Sequence, residues 1–568
     1  MRNARVLLGV VVGLMVGFST AAWGQAAEAA VPEVSRAQIE EAIDRGVQYL
    51  VSVQEADGHW AYTPGGKAEE LQYKVGTTAL AVLALQHSGT KRADAQLAMK
   101  KGLSYIVQQT PEPRTYSTGL IMQVLYGDNP TGYQALAAQY AWMVCMGQKR
   151  EGPQAGSWTY TLPILPANWA TRSMTSISEQ TGPSDDSNSQ FGILALVFAE
   201  KMGFQVPRII WERAREHYKS TQNKDGGWEY RSELYGAGLH GQVPQRSSPS
   251  MTLAGTVSAY LCEEMLADKS HKQCAVPAAN PVHEAGLAWV GKRWWPHRSY
   301  YEWYACERLG VLIGYSEFGG HDWYREGVPD MIAAIGTSAD YSDPKVDTSF
   351  AVIFLARGRN PIIINKLKRE GDWNLHRYDI KNLIEYISGP GQMPCQWRIV
   401  TLEAKVEFLL KVPILWISGH EALNFTAEEK AKLKEYVEKG GTILAEDCCS
   451  KKPFDESFRA LLKELWPDSD LVDLPKTHAI YTNYTKVASA PRLMGLALEK
   501  GQGRFGVIYI PNGISCRWEV GGTGARPTMD FGKNIYLYVD KMVKQMRAER
   551  SAGEAVKESA GKAGETTP

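Results

Sequence analysis

Three clusters of residues have the types and spacing to do chemistry. The first is Asp185-Asp186-Ser187-Asn188-Ser189-Gln190, the most polar entry to any apolar helical run in the chain. With Tyr300-Tyr301-Glu302 and Asp347 it supplies the carboxylates, amides and phenols that serve glycoside hydrolysis when two carboxylates flank the bond. Asp186, Glu302 and Asp347 are the catalytic candidates, and Asn188, Gln190, Tyr300 and Tyr301 extend them to a ligand-binding set. Asn188, His240 and Tyr300 would be the lyase-type set. These residue types also cap helices, so a capping role stands open for Asp186 and Asp347. The second cluster is aromatic. Insertions at 148–184 and 229–249 carry Trp158, Tyr160, Trp169, Tyr230 and Tyr235, with Trp228 just ahead of the second. Their rings suit stacking on sugars or prenyl chains, or simply pinning the loops.

The third cluster lies in the second half: His420, Cys448-Cys449 and His478. A cysteine after a strand is where a thiol nucleophile would sit, and the histidines could bind a ligand at a sheet's C-terminal edge. The GxCxG flank of such a nucleophile is missing. No metal set and no cofactor are expected. None of the cysteines (145, 262, 274, 306, 395, 448, 449, 516) falls in a CxxC pair, and HExxH, GxSxG and the P-loop are absent. Gly501-Gln-Gly-Arg-Phe-Gly506 matches GxGxxG but runs into an apolar strand where a dinucleotide site needs a helix. Cys262 and Cys274 flank a polar turn and are the expected disulfide.

The elements that must hold these residues are of two kinds. From Ser35 to about Arg357, amphipathic segments such as Ile39, Ile43, Val47, Leu50 alternate with runs apolar on all sides, such as 77–86, 116–125, 187–196, 251–260, 300–313 and 347–355. This predicts six helical hairpins closed into an all-α toroid, buried helices inside. If the inner helices run one way, their N-termini bring Asp186, Asn188, Gln190, Tyr300, Tyr301, Glu302 and Asp347 to one mouth. After about 361 strands and helices alternate: Ile362–Ile364, Trp397–Leu402, Pro413–Ile417, Thr442–Ala445 and Gly506–Ile510 read as strands. Thr426-Ala-Glu-Glu429 opens a helix as a capping box. The alternation predicts a mostly parallel α/β sheet.

Gln54-Glu-Ala-Asp57-Gly58-His-Trp60 and Gln222-Asn-Lys-Asp225-Gly226-Gly-Trp228 share QxxDGxW at a helix end, with Gly156-Ser-Trp158 and Gly319-Gly-His-Asp-Trp323 as degenerate copies. These resemble the QW-type repeats of the squalene cyclase and protein prenyltransferase superfamily, which implies an α/α toroid over 35–358. The superfamily's chemistry does not follow, because the DxDD acid and the Asp-x-Cys zinc pair are both missing. Gly371-Asp372-Trp373-Asn374, Ser418-Gly-His420, Gly440-Gly441, His478-Ala-Ile-Tyr481 and Gly532-Lys-Asn-Ile535 resemble domain of unknown function 4159 over 361–547, implying a class I glutamine-amidotransferase-like fold.

Composition narrows the remaining classes. The 568 residues carry 62 Lys plus Arg against 62 Asp plus Glu, a balance that argues against a dedicated nucleic-acid binder. Arg2 and Arg5, the apolar Val6–Phe18 run and Ala22-Trp23-Gly24 read as a secretory signal over 1–24, too short to span a bilayer. No transmembrane segment is expected in the mature chain, and the Ala/Gly/Glu/Lys-rich 548–568 reads as a disordered tail. These readings combine into an exported, periplasmic or secreted, binding or scaffold protein. Its toroid would hold an apolar isoprenoid-like or a glycan ligand, with a second exported protein as a further partner. The alternatives are a carbohydrate-active lyase or hydrolase at the toroid mouth and, third, a terpenoid cyclase-like enzyme.

Overall fold

The computed structural model describes residues 33–171, 182, 184–230, 247–267, 280–294, 299–338, 343–487, 491–498 and 504–564. The expected signal segment, Tyr235, His240 and Cys274 lie outside the described residues. Cys262 is a buried free thiol.

Helices alternate between two layers from Arg36 to Gly358. The outer ones are α1 (Arg36–Ser52), α3 (Ala93–Gln108), α5 (Gln134–Gly147), α7 (Arg208–Thr221), α9 (Pro281–Lys292) and α11 (Trp323–Ala333). Their inner partners are α2 (Lys74–Ser88), α4 (Thr115–Asp128), α6 (Asp186–Lys201), α8 (Pro249–Leu266), α10 (Tyr300–Ile313) and α12 (Pro344–Gly358). A short hairpin, β1 (Glu317–Phe318) with β2 (His321–Asp322), precedes α11. Each inner helix packs on the next and α12 packs back on α2, closing the ring of an α/α toroid. Sequence pattern explains the layering. In α2 every residue from Val75 to Leu85 is buried, whereas α7 buries Ile210, Trp211, Ala214, His217, Tyr218 and Thr221 as one stripe.

The QxxDGxW loops fasten the layers together. The Gln54 side-chain amide donates to the carbonyls of Gly58 (2.8 Å) and of Ala98 on the next outer helix (2.9 Å). Gln222 does the same to Gly226 and to Val282, both at 2.8 Å. The indole N–H of each tryptophan returns to the preceding outer helix: Trp60 to Leu50 (2.8 Å), Trp158 to Val144 (2.7 Å) and Trp228 to Tyr218 (3.0 Å). Their backbone N–H groups donate to Thr78, Ser189 and Thr252, hydroxyls at the start of the inner helix. One loop thus clasps three helices. Gly226 has φ of 93°, and a Cβ there would lie 2.7 Å from the Ala285 carbonyl oxygen, so glycine is required twice over.

The second half is built on a seven-stranded sheet: β3 (Ile362–Leu367), β4 (Gln396–Val400), β5 (Ile414–Gly419), β6 (Thr442–Asp447), β7 (Leu471–Asp473), β8 (Met494–Ala497) and β9 (Phe505–Ile510). Their order is β4-β3-β5-β6-β9-β8-β7, parallel from β4 to β9 and antiparallel at β8 and β7. Side chains alternate across it. Ile414 and Trp416 join a core with α13 (Asp379–Ile387), α17 (Ser515–Val520) and α18 (Arg526–Gly564). Leu415 and Ile417 face the core of α14 (Val406–Leu409), α15 (Ala427–Glu438) and α16 (Lys452–Leu465). The expected capping box is formed by Thr426 and Glu429. Helix α18 continues to Gly564, through a segment rich in the good helix formers Ala, Glu and Lys.

Because outer and inner helices alternate, all inner helices run parallel, and their C-terminal ends abut the sheet half. There Lys381 on α13 pairs with Glu264 at the end of α8 (2.6 Å) and with Glu385 (3.0 Å), while Lys201 at the end of α6 reaches Glu385 (2.9 Å). Gly314, in the left-handed turn ending α10, accepts a backbone bond from Ile399 in β4 (2.7 Å).

Two predictions follow from this packing. Trp228→Ala opens a cavity and strands backbone partners, and should lower unfolding free energy by about 3–5 kcal/mol in urea titrations followed by circular dichroism. Burial opposes the Glu385 charge, but Lys201 and Lys381 outweigh it and hold its carboxyl below the ordinary 4.5. Its stabilising contribution is therefore complete above about pH 4.5 and lost as pH falls below it. Glu385→Gln should flatten this part of the acid-unfolding profile.

Candidate functional site

The parallel inner helices place their N-termini at the mouth away from the sheet half. Asp185, the N-cap of α6, organises that mouth. Its Oδ1 accepts the Asn188 N–H (2.7 Å) and the Ser187 hydroxyl (3.0 Å). Its Oδ2 accepts the Asn188 side-chain amide (2.8 Å) and the Tyr230 hydroxyl (2.9 Å). Tyr230 and Tyr160 share a hydrogen bond, Tyr116 shares one with Ser187, and the Tyr116 and Tyr160 rings stack with centroids 6.3 Å apart. Burial above all pushes the Tyr160 and Tyr230 phenols above their ordinary value, helped at Tyr230 by the Tyr160 hydrogen bond and at both by the Asp185 charge, so both stay donors at neutral pH. Deeper on the axis, the Gln190 amide donates across the ring to the Tyr301 hydroxyl on α10. The guanidinium of Arg308 lies 4.3 Å above the Tyr304 ring, with its Nη2 buried and lacking a hydrogen-bond partner.

The structure gathers Asn188, Gln190 and Tyr301 and redirects other candidates. Asp186 turns outward: its Oδ1 meets His217 Nε2 on the outer helix α7 at 2.7 Å, with both side chains fully buried. Glu302 closes a capping box with Ser299, and Tyr300 packs half-buried on the helical core. Asp347 is buried in the first turn of α12, opposite α6 in the ring. Trp158 and Trp228 are fully buried in the clasps and do not line a ligand site. Asp185 carries more of the mouth than the residues weighted from sequence; an acidic N-cap beside a second aspartate was the available signal.

A second constellation sits at the C-terminal edge of the parallel strands. The turn after β6 carries Cys448 and Cys449, the loop after β9 carries Cys516 at the start of α17, and the loop after β3 carries His376. The three sulfurs lie 3.7 Å from one another, and His376 Nε2 is 3.0 Å from Cys448 Sγ and 3.4 Å from Cys516 Sγ. A ring nitrogen of His420, after β5, lies within 4.8 Å of the Cys448 and Cys449 sulfurs. Cys449 and Ser450 have φ of 57° and 55°, the only non-glycine residues with positive φ among the described residues. Such backbone costs about 1–3 kcal/mol per residue and persists where surrounding contacts hold it. Gly513 lets the β9 loop lie against that turn, since a Cβ would come 3.2 Å from the Cys449 nitrogen. The absence of CxxC suggested no metal set; His376 and Cys516 were missed because each is isolated in sequence. His478 is elsewhere, capping a short turn and packed against Phe505 and Tyr538.

A cavity of about 660 Å³ also opens between the two halves, lined by Tyr126, Lys201, Glu264, Tyr378, Glu385 and Glu519. Burial, then the Asp379 charge, pushes the Glu519 carboxyl up to about 7.

These roles separate structural from ligand-facing carboxylates. His217→Ala strands the buried Asp186 oxygen and should destabilise the fold by about 3 kcal/mol, whereas Glu302→Ala should cost about 1 kcal/mol, both read as shifts in denaturation midpoint.

Residues 363–542 match the family model described as Domain of unknown function (DUF4159). Among solved structures, the chain is similar to the GH76A α-1,6-mannanase from Salegentibacter sp. HEL1_6, at 9% identity over 56% of this chain and 99% of that one, with a TM-score of 0.38. It is also similar to the type II terpene cyclase MstE from Scytonema, at 13% identity over 57% of this chain and 98% of that one, with a TM-score of 0.34. No curated protein matches the chain.

Proposed function

We propose that this is an exported binding protein whose toroid mouth takes a hydroxyl-rich, glycan-like ligand. The observation that carries the reading is the pair Tyr160 and Tyr230, 38% and 40% exposed, whose hydroxyls are tethered to the buried Asp185. Ring faces held this way stack on the apolar face of a sugar, and the tethered phenols meet its hydroxyls without a further cost of ordering. The polar axis behind them, Gln190, Tyr301 and Arg308, suits such a ligand better than an isoprenoid chain. Export rests on the Met1–Gly24 pattern, and no helix among the described residues is long and apolar enough to cross a membrane.

Hydrolase or lyase action is the second reading, and the outward turn of Asp186 and the capping role of Glu302 weigh against it. The amidotransferase-like kinship of the sheet half enters as a fold proposal, with its crevice at the strand ends that carry Cys448 and His420.

Titration calorimetry of the full chain against soluble oligosaccharides tests the reading. Tyr160→Ala and Tyr230→Ala should each weaken binding by about tenfold, the equivalent of about 1.4 kcal/mol. Absence of binding to every oligosaccharide class, or binding that both substitutions leave unchanged, would falsify it.

A further inference from the structure

We infer that the C-terminal edge of the sheet is a zinc site of three thiolates and one imidazole, held by Cys448, Cys449, Cys516 and His376. The geometry of the sulfurs carries the inference. Zinc–sulfur bonds of about 2.3 Å at tetrahedral angles put the sulfurs about 3.8 Å apart. All three separations here are 3.7 Å, close to that edge and well beyond a disulfide bond. His376 Nε2 sits over the Cys448–Cys516 edge at 3.0 and 3.4 Å, and a side-chain rotation toward Cys449 would bring it to the fourth vertex. Thiolate with imidazole is the donor set that zinc prefers over magnesium or calcium, which take oxygen ligands. On binding, the three thiols give up their protons and the neutral imidazole donates its Nε2 lone pair, with no change in oxidation state.

The chain around the ligands is built to hold them before any metal arrives. Buried Glu446, at the end of β6, accepts the N–H groups of Ile514 (2.7 Å) and Ser515 (3.1 Å) and the Ser515 hydroxyl, fixing the helix start that carries Cys516. Asp447 accepts the Lys451 N–H and so closes the left-handed turn that presents Cys449. Lys366, itself paired with Asp379 at 2.6 Å, donates to the His376 carbonyl. Each ligand-bearing loop is therefore anchored by a buried charged side chain, the arrangement that orients metal ligands and tunes their affinity. Cys448 is buried while Cys449 is exposed, which gives an ion a route in from solvent. His420 lies outside this set: its ring nitrogen comes within 4.8 Å of the Cys448 and Cys449 sulfurs, but His376 makes the shorter approaches, 3.0 and 3.4 Å, to Cys448 and Cys516.

The test uses the full-length chain, untagged and prepared without added metal or chelator. Elemental analysis should give one zinc per chain. Replacement of zinc by cobalt(II) should give the intense absorption of tetrahedral thiolate coordination. In competition with a chromophoric chelator, Cys516→Ser and His376→Ala should each lower zinc affinity at least tenfold, Glu446→Gln should lower it less, and His420→Ala should leave it unchanged. Zinc-free protein that takes up neither zinc nor cobalt would overturn the inference. So would a Cys449–Cys516 disulfide found by peptide mapping of the freshly prepared chain. Loss of metal in His420→Ala with retention in His376→Ala would overturn the assignment of the fourth ligand. The cobalt spectrum of the unsubstituted chain decides the matter even if a cysteine variant fails to fold.

Discussion

The helical half depends on a polar clasp that recurs at three of its six hairpins. A tryptophan indole, a glutamine amide and a glycine with positive φ tie an outer helix, its inner partner and the next outer helix at a single point. Each clasp buries a large ring and satisfies helix-end carbonyls that would otherwise face the apolar joint. Three of the six hairpins are joined this way, and the inner helices pack one on the next until the contact of α12 with α2 closes the ring. The clasp also explains why the conspicuous tryptophans are not ligand contacts: their polar and apolar surfaces are already used.

Ring closure with parallel inner helices makes the two mouths chemically different. One receives helix N-termini, and its orphan N–H groups draw in Asp185 and the hydroxyls and tyrosines bonded to it. The other presents carbonyl ends and charged last-turn residues, and the chain of Lys201, Glu385, Lys381 and Glu264 joins these to the sheet half. The two mouths therefore differ: one exposes the Tyr160 and Tyr230 rings, and the other holds the sheet half in place. Between them Gln190 and Tyr301 meet across the ring and make this part of its interior polar.

The sheet half follows the logic of parallel sheets, in which the loops after neighbouring strands converge at one edge. Loops after β3, β5, β6 and β9 deliver His376, His420, the Cys448-Cys449 pair and Cys516 to that edge. The positive-φ backbone of Cys449 and Ser450 lies at this edge and at no other non-glycine position among the described residues, with the buried carboxylates of Glu446 and Asp447 beneath it. Chemistry and strain coincide there, which is the usual sign of a site whose geometry is held for a purpose.

The sequence by itself determined the layers. Runs apolar on all sides became inner helices, striped segments became outer ones, and strand–helix alternation became a mostly parallel sheet, because burial of periodic side chains is a local property of the chain. It also determined the clasp loops where the spacing was intact. The looser Gly156-Ser-Trp158 copy hid its glutamine, Gln148, which donates to Gly156 and Ile210 across a longer loop. Only the tertiary structure decided which polar residues meet. Asp186 and Asp185 are neighbours with the same chemistry, yet one turns outward to His217 and the other toward the mouth, and that choice depends on α7 and on Tyr230. His376, Cys448 and Cys516 are separated by 72 and 68 residues, and only strand order brings them within hydrogen-bonding distance. Pairing between distant side chains leaves no periodic trace in a sequence, and the packing of strands and helices sets it.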